Sequence, residues 1–233
     1  MSWFSPAELE ALWLSCKVAS CACLVVAVPG VALGWVLARC RFPGRMLLDA
    51  LVHLPLVLTP VVVGYLLLLV VGRRGLLGPL LAQLGIDLAF SFAAAVLAAA
   101  VIALPLVVRS VRIAIELVDP RLEQAAAVLG AGLWRRTCTV TLPLALPGIL
   151  AGLVLGFARS VGEFGATITL AGNLAGETRT LPVAIYTATQ IPGGEPAALR
   201  LTLLSVLLSL GALGGSQLLQ QRMRARALRR DNA

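Results

Sequence analysis

Residues 50–72 read ALVHLPLVLTPVVVGYLLLLVVG, 23 positions without a formal charge between Asp49 and Arg73. An α-helix rises about 1.5 Å per residue, so about 20 apolar residues cross the roughly 30 Å hydrocarbon layer of a bilayer. This stretch is long enough to span. Four more windows resemble it: residues 18–38 and 88–108 with 21 uncharged residues each, 137–158 with 22, and 201–221 with 21. Together they predict an all-α polytopic membrane protein forming one transmembrane domain over 1–233, with spans near 12–38, 47–72, 88–109, 143–163 and 199–221. Strands of a membrane barrel would alternate over about 10 residues, whereas these windows are continuously apolar.

Composition excludes a water-soluble globular enzyme. Apolar residues make up 59% of the chain and charged ones 13%, against about 45–50% and about 25% in soluble domains. The net charge is +8, and Lys17 is the single lysine among 19 basic residues. Thirteen of those 19 fall in the connection Arg39–Arg45, the connection Arg109–Arg136 and the tail Arg222–Arg230. Cytoplasmic loops hold the excess of basic residues, so five spans place the N-terminus outside and the C-terminus inside. The tail arginines also suit anionic lipid headgroups. No aromatic interleaving or folded domain follows them, which argues against nucleic acid.

Two uncharged stretches, 164–176 and 180–194, are too short to span and carry Gly165, Gly172, Pro182, Pro192, Gly193 and Gly194. Irregular backbone at membrane depth is tolerated where protein or a water-filled cavity surrounds it. The segment 164–196 therefore reads as a short re-entrant or outer element beside a pathway, with an apolar external loop as the alternative. A full sixth span at 180–194 would put the arginine tail outside. The first apolar window exceeds a signal-peptide core and is expected to be retained. Cys16, Cys21, Cys23, Cys40 and Cys138 form no metal spacing and read as packing residues. His53 is the single histidine, close to an interface, so no metal site and no catalytic set is expected.

The connection 110–142 is more distinctive. Asp119-Pro120 suits an N-cap followed by proline at the first helical position, and Leu122, Ala125, Ala126 and Leu129 recur at helical spacing. Gly130-Ala131-Gly132 ends that short helix, and an amphipathic piece over Leu133–Val140 leads to Leu142-Pro143 at the fourth span. A helix this short is marginal alone and requires a partner surface.

The segment resembles the EAA loop of ABC importer permeases, E-A-A-x3-G-x9-I-x-L-P. Here it reads Gln124-Ala125-Ala126, Gly130, then Val140-Thr141-Leu142-Pro143; glutamine replaces the family's glutamate, and an acid stands one place earlier at Glu123. The resemblance implies a type I ABC importer permease fold, with about five transmembrane helices, a short re-entrant element and a cytoplasmic coupling helix. It also implies that Glu123, Gln124, Ala125, Ala126, Gly130, Leu142 and Pro143 couple to a separate ATP-binding cassette subunit. The chain is not itself that enzyme: a phosphate-binding loop needs G-x-x-x-x-G-K-[ST], and Lys17 stands outside any such motif. ATP and magnesium would be used by the partner, and this chain is expected to bind no cofactor.

A second block, from Phe157 through Gly162-Glu163-Phe164-Gly165 to Gly172-Asn173 and then Gln190-Ile191-Pro192-Gly193-Gly194-Glu195, resembles permeases of the molybdate and sulfate importer group. It looks more like the molybdate branch, with tungstate as a further cargo and sulfate or thiosulfate as the alternative. An ion-coupled secondary transporter is a more distant alternative, because no internal repeat or set of embedded ionisable residues supports it. Ser160, Thr167, Thr169 and Asn173 supply neutral donors suited to a conduit that must release an anion. Their alternative role is bonding to helix carbonyls. Arg159 and Glu163 stand four apart, so an ion pair that is structural or closes a gate is expected. The resemblance further implies a bacterial cytoplasmic (inner) membrane location, a homodimer with a second permease copy, two ATP-binding cassette subunits and an extracytoplasmic oxyanion-binding protein.

Overall fold

The computed structural model describes the backbone of residues 5–231, and side chains through residue 215 except 213. The arginines counted in the tail, Arg222 to Arg230, lie outside the described side chains. Helix α1 (Pro6–Arg39) opens on a capping box in which Ser5 Oγ accepts from the Glu8 N–H and the Ser5 N–H donates to Glu8 Oε2. That cap and Pro6 in the first turn add N-terminal residues to the span expected at 12–38.

The stretch 47–72 is not one helix. It forms α2 (Arg45–Val57) and α3 (Pro60–Val71), bent by 117° at the break. Leu58 and Thr59 adopt extended backbone, ψ 146° and 141°. Pro60 disfavours helical geometry in the residue before it and then starts the next helix, where its missing N–H costs nothing. The bent pair still runs the length of the bundle: Asp49 on α2 pairs with Arg112, while the far end of α3 leads toward Arg73 and Asp87.

Helix α4 (Gly78–Gln83) lies in the following loop, and α5 (Phe92–Glu116) is the central span. It starts at a Ser91 cap and runs beyond the expected 88–109, because Arg112 is paired to both Asp49 and Glu116. Ala94, Ala95, Ala98, Ala99 and Ala103 are fully buried, so neighbouring backbones approach closely. A methyl group added at Gly30 of α1 would lie 2.8 Å from Val107 Cγ1.

Helix α6 (Pro120–Val128) projects from the end of α5, followed by α7 (Leu133–Arg136), a π turn (Thr137–Thr141) and α8 (Leu142–Val161). The fourth span therefore begins at Leu133 and continues to Val161, where a loop to 142 and a span from 143 were expected. The Leu142 N–H reaches back to Thr137 O, widening the helix just before Pro143, which supplies no donor. A Gly148, Gly152 and Gly156 stripe on α8 faces α5; a methyl at Gly152 would stand 2.7 Å from Ser110 Cβ.

Region 164–196 resolves into α9 (Gly165–Leu170) and α10 (Leu181–Thr189), neither long enough to cross a bilayer. Helix α9 packs on α3, where a methyl at Gly64 would meet Ala166 Cα at 2.8 Å. Leu181 and Ala184 of α10 pack with Ala11 and Leu201, and the Leu181 N–H donates to Ser15 Oγ at 2.6 Å. Helix α11 (Glu195–Asp231) begins before the expected span 199–221. Four helices among the described residues are long and apolar enough to cross a membrane, or five crossings if the bent pair is one broken span.

Candidate functional site

The segment around α6 folds as its sequence dictates. Asp119 Oδ1 accepts from the Arg121 N–H at 2.9 Å, Pro120 occupies the first turn, and the helix stops where Gly130 turns to φ +82°. A side chain at Gly130 would meet open space, so backbone conformation alone demands glycine there. No residue of α6 is buried. Val128 and Leu129 are 89% and 87% exposed, and Leu133 and Trp134 extend the same exposed apolar surface.

Of the predicted coupling residues, Gln124, Ala125, Gly130 and Pro143 are exposed, while Ala126 is half-buried. Leu142 is half-buried and packs on the main core. Glu123 is half-buried, with its carboxylate turned toward the bundle. Its Oε1 accepts from Arg39 Nη2 at 2.9 Å and from Thr141 Oγ1 at 2.7 Å. Arg39 Nη2 also donates to the Ile115 and Val118 carbonyls at 3.1 and 3.2 Å. No local pattern marks Arg39 or Thr141 as a partner of Glu123. Neither lies near Glu123 in the chain, and only the packing of α1 beside α5 and α8 brings them together.

At the other end of the bundle, the Arg159–Glu163 pair forms at 2.7 Å as its four-residue spacing predicts. Glu163 is 2% exposed, and its second oxygen accepts from the Ala166 N–H at 3.0 Å, capping α9. A carboxylate bound on both sides holds the turn between α8 and α9. The four neutral donors do not converge on one point. Ser160 Oγ is 3.5 Å from the Ala99 carbonyl, Thr167 is buried, and Thr169 Oγ1 donates to its own helix at Gly165 O. Asn173 bridges segments, accepting from Arg179 Nε and donating to Thr187 Oγ1. Phe164 and Tyr186 stack in tilted contact, 5.2 Å between ring centroids, linking the same elements. His53 Nδ1 bonds to the Asp49 backbone carbonyl at 2.9 Å, beside the Asp49–Arg112 pair of the α2–α5 junction.

A polytopic bundle around an alanine-rich central span, with a short exposed helix projecting between two spans, is a fold shared with ABC transporter permeases. The structure of the MetNI methionine ABC transporter in inward-facing conformations has this fold: TM-score 0.73, covering 94% of this chain and 99% of that chain, at 17% identity. The profile of the binding-protein-dependent transport system inner membrane component family matches residues 30–225, and the chain belongs to that family. It is 56% identical over 221 residues to the molybdenum transport system permease protein ModB of Escherichia coli K12, covering 94% of this chain and 96% of the relative. The sulfate transport system permease protein CysT of the same organism is 40% identical over 161 residues, covering 69% of this chain and 58% of that relative.

Proposed function

We propose that this chain is the membrane subunit that carries molybdate inward in an ATP-driven importer. The observation that carries the reading is the 56% identity to a molybdenum permease over nearly the full length of both chains, against 40% over a shorter stretch for the sulfate permease. Tungstate, of like charge and shape, is a further cargo. The energy source is a pair of ATP-binding cassette subunits docked on α6, whose exposed Leu122, Val128 and Leu129 give a partner an apolar surface to cover. ATP and magnesium belong to those subunits.

The α6 end faces the cytoplasm and the Arg159–Glu163 end faces outward. Arg39, Arg45, Arg109, Arg112, Arg135 and Arg136 lie at or near the α6 end, in keeping with the positive-inside bias. Two copies enclose the pathway on their two-fold axis, and an extracytoplasmic oxyanion-binding protein delivers the anion. Closure of the ATPases on ATP moves α6, and the bundle opens outward; hydrolysis resets it. The Arg159–Glu163 pair closes the outer end, with Ser160, Thr167, Thr169 and Asn173 near the path.

The test is uptake in cells lacking their own molybdate permease, expressing this chain with its ATPase and binding protein. Molybdate uptake that excess sulfate leaves intact, and that disappears when the ATPase loses its phosphate-binding lysine, is expected. Equal competition by sulfate would move the cargo to the sulfate reading, and uptake without a working ATPase would replace the importer with an ion-coupled transporter.

A further inference from the structure

We infer that the Glu123 carboxylate is the joint through which movement of α6 reaches the membrane helices, with Arg39 and Thr141 as its positioning residues. The inference rests on the importer reading above. Helix α6 buries none of its residues, so apolar packing does not fasten it to the bundle. Among the described residues, the side-chain hydrogen bonds that tie it to the membrane helices meet at one oxygen: Glu123 Oε1 holds Arg39 at the end of α1 and Thr141 before α8. Arg39 carries the tie onward to the Ile115 carbonyl in the last turn of α5 and to the Val118 carbonyl just beyond it. The three spans that pack most closely in the core are therefore gathered on one side chain.

The chemistry suits transmission. An exposed apolar contact slides, whereas a charge-assisted hydrogen bond is short and directional and resists displacement along its axis. Glu123 and Arg39 keep 23% and 21% of their side-chain surface, and Thr141 is 1% exposed, so water competes weakly for the tie. Thr141 lies in the π turn, where the helix departs from regular i to i−4 bonding, a departure frequent at functional sites. A pull on Glu123 arrives where the fourth span departs from regular α-helical bonding.

The test reads ATP hydrolysed per molybdate taken up by the whole complex in lipid vesicles, with loaded binding protein present. Glu123→Ala is expected to raise that ratio about tenfold, within the usual range of coupling between sites, while the ATPase still co-purifies with the permease. Glu123→Gln keeps an acceptor oxygen and is expected to fall between the two. Should Glu123→Ala fail to fold, Thr141→Val and Thr141→Ser replace it: valine raises the ratio and serine restores it. A wild-type ratio in Glu123→Ala or in Thr141→Val overturns the inference, as does serine behaving like valine. Loss of the ATPase in step with loss of transport in Glu123→Ala also overturns it, by making Glu123 a docking residue. A wild-type complex that takes up no molybdate defeats the importer reading itself, a result distinct from all of these.

Discussion

Arg200 of α11 holds Glu8 of α1 through both Nε and Nη2, at 3.0 and 2.7 Å, across 192 positions of sequence. Glu8 is 5% exposed while the Arg200 side chain is 39% exposed. The first and last spans are clasped at their N-terminal ends by a carboxylate whose one cationic partner among the described residues is Arg200. Removing the arginine leaves that carboxylate buried and unpaired, which costs several kcal/mol in a fully buried pair. The exposure of Arg200 reduces this, and Arg200→Ala is expected to destabilise the purified protein by about 2 kcal/mol. Thermal unfolding in detergent checks it, and Glu8→Gln should be the milder change because the amide keeps its capping role.

Gly152 sets the distance between α5 and α8. A methyl there would stand 2.7 Å from Ser110 Cβ, closer than carbon atoms pack. Overpacking of this kind costs about 1–3 kcal/mol for a small addition and more for a branched one. Gly152→Val should prevent accumulation of the folded subunit, and Gly152→Ala should lower its melting temperature. Ser110→Gly removes the atom struck and is expected to rescue Gly152→Ala, so restored thermal stability in the double variant is the deciding measurement.

These two contacts show where sequence reading reaches and where it stops. Each helix long and apolar enough to cross a membrane, and the bent pair, overlaps one of the charge-free windows, because a span must be apolar over its whole length, and Asp119-Pro120 with Gly130 delimits α6, because caps act locally. The Arg159–Glu163 pair is legible for the same reason, as its partners stand four residues apart across the end of α8. The break at Leu58–Thr59 was signalled by Pro60, yet hydropathy across it is uninterrupted. The extension of α8 back to Leu133 was masked by Pro143, which the π turn accommodates. Arg39 with Glu123 and Arg200 with Glu8 depend on tertiary packing, and no local pattern announces them.

Gly130 separates backbone demand from side-chain demand. Its φ of +82° strains any residue with a Cβ, while the space around it is empty. Asparagine tolerates this region better than branched residues do. Gly130→Asn should therefore retain most molybdate uptake, and Gly130→Val, costing about 1–3 kcal/mol of backbone strain, should displace the end of α6 and uncouple hydrolysis from transport. If asparagine uncouples as fully as valine, a side chain at this position obstructs the partner and the backbone is not what matters.

Arg73 and Asp87 close the loop between α3 and α5 with paired hydrogen bonds at 3.0 and 2.6 Å. The hydrogen bonds from the guanidinium, aided by its charge, hold the Asp87 carboxyl below its ordinary range. A lowered carboxylate contributes stability above its unfolded value, near 3.9 for aspartate, and loses it as pH falls through the folded one. The tie should therefore be constant through neutral pH, vanish only in strong acid, and weaken with salt because both groups are exposed. Asp87→Asn should reproduce the acid state at neutral pH, seen as faster trypsin cleavage after Arg73 and Arg74. Unchanged cleavage would mean that loop order rests on the backbone bonds around Gly72 to Gly78.

Glu163 serves two partners at once, Arg159 through Oε2 and the Ala166 N–H through Oε1. If the two contacts act as one unit, removing either end should disturb the other. Single variants Arg159→Ala and Glu163→Ala then cost more in sum than the double variant, with a coupling energy of about 1–3 kcal/mol. Glu163→Gln should cost less than Glu163→Ala, since its carbonyl oxygen can still accept from Ala166 and spare α9 an unsatisfied donor. Transport distinguishes a brace from a gate. A brace alone predicts that uptake follows the amount of folded complex in all four proteins. A gate predicts that Arg159→Ala, with its outer closure lost, hydrolyses ATP without the binding protein present. Thermal unfolding and hydrolysis measured on the same preparations decide between them.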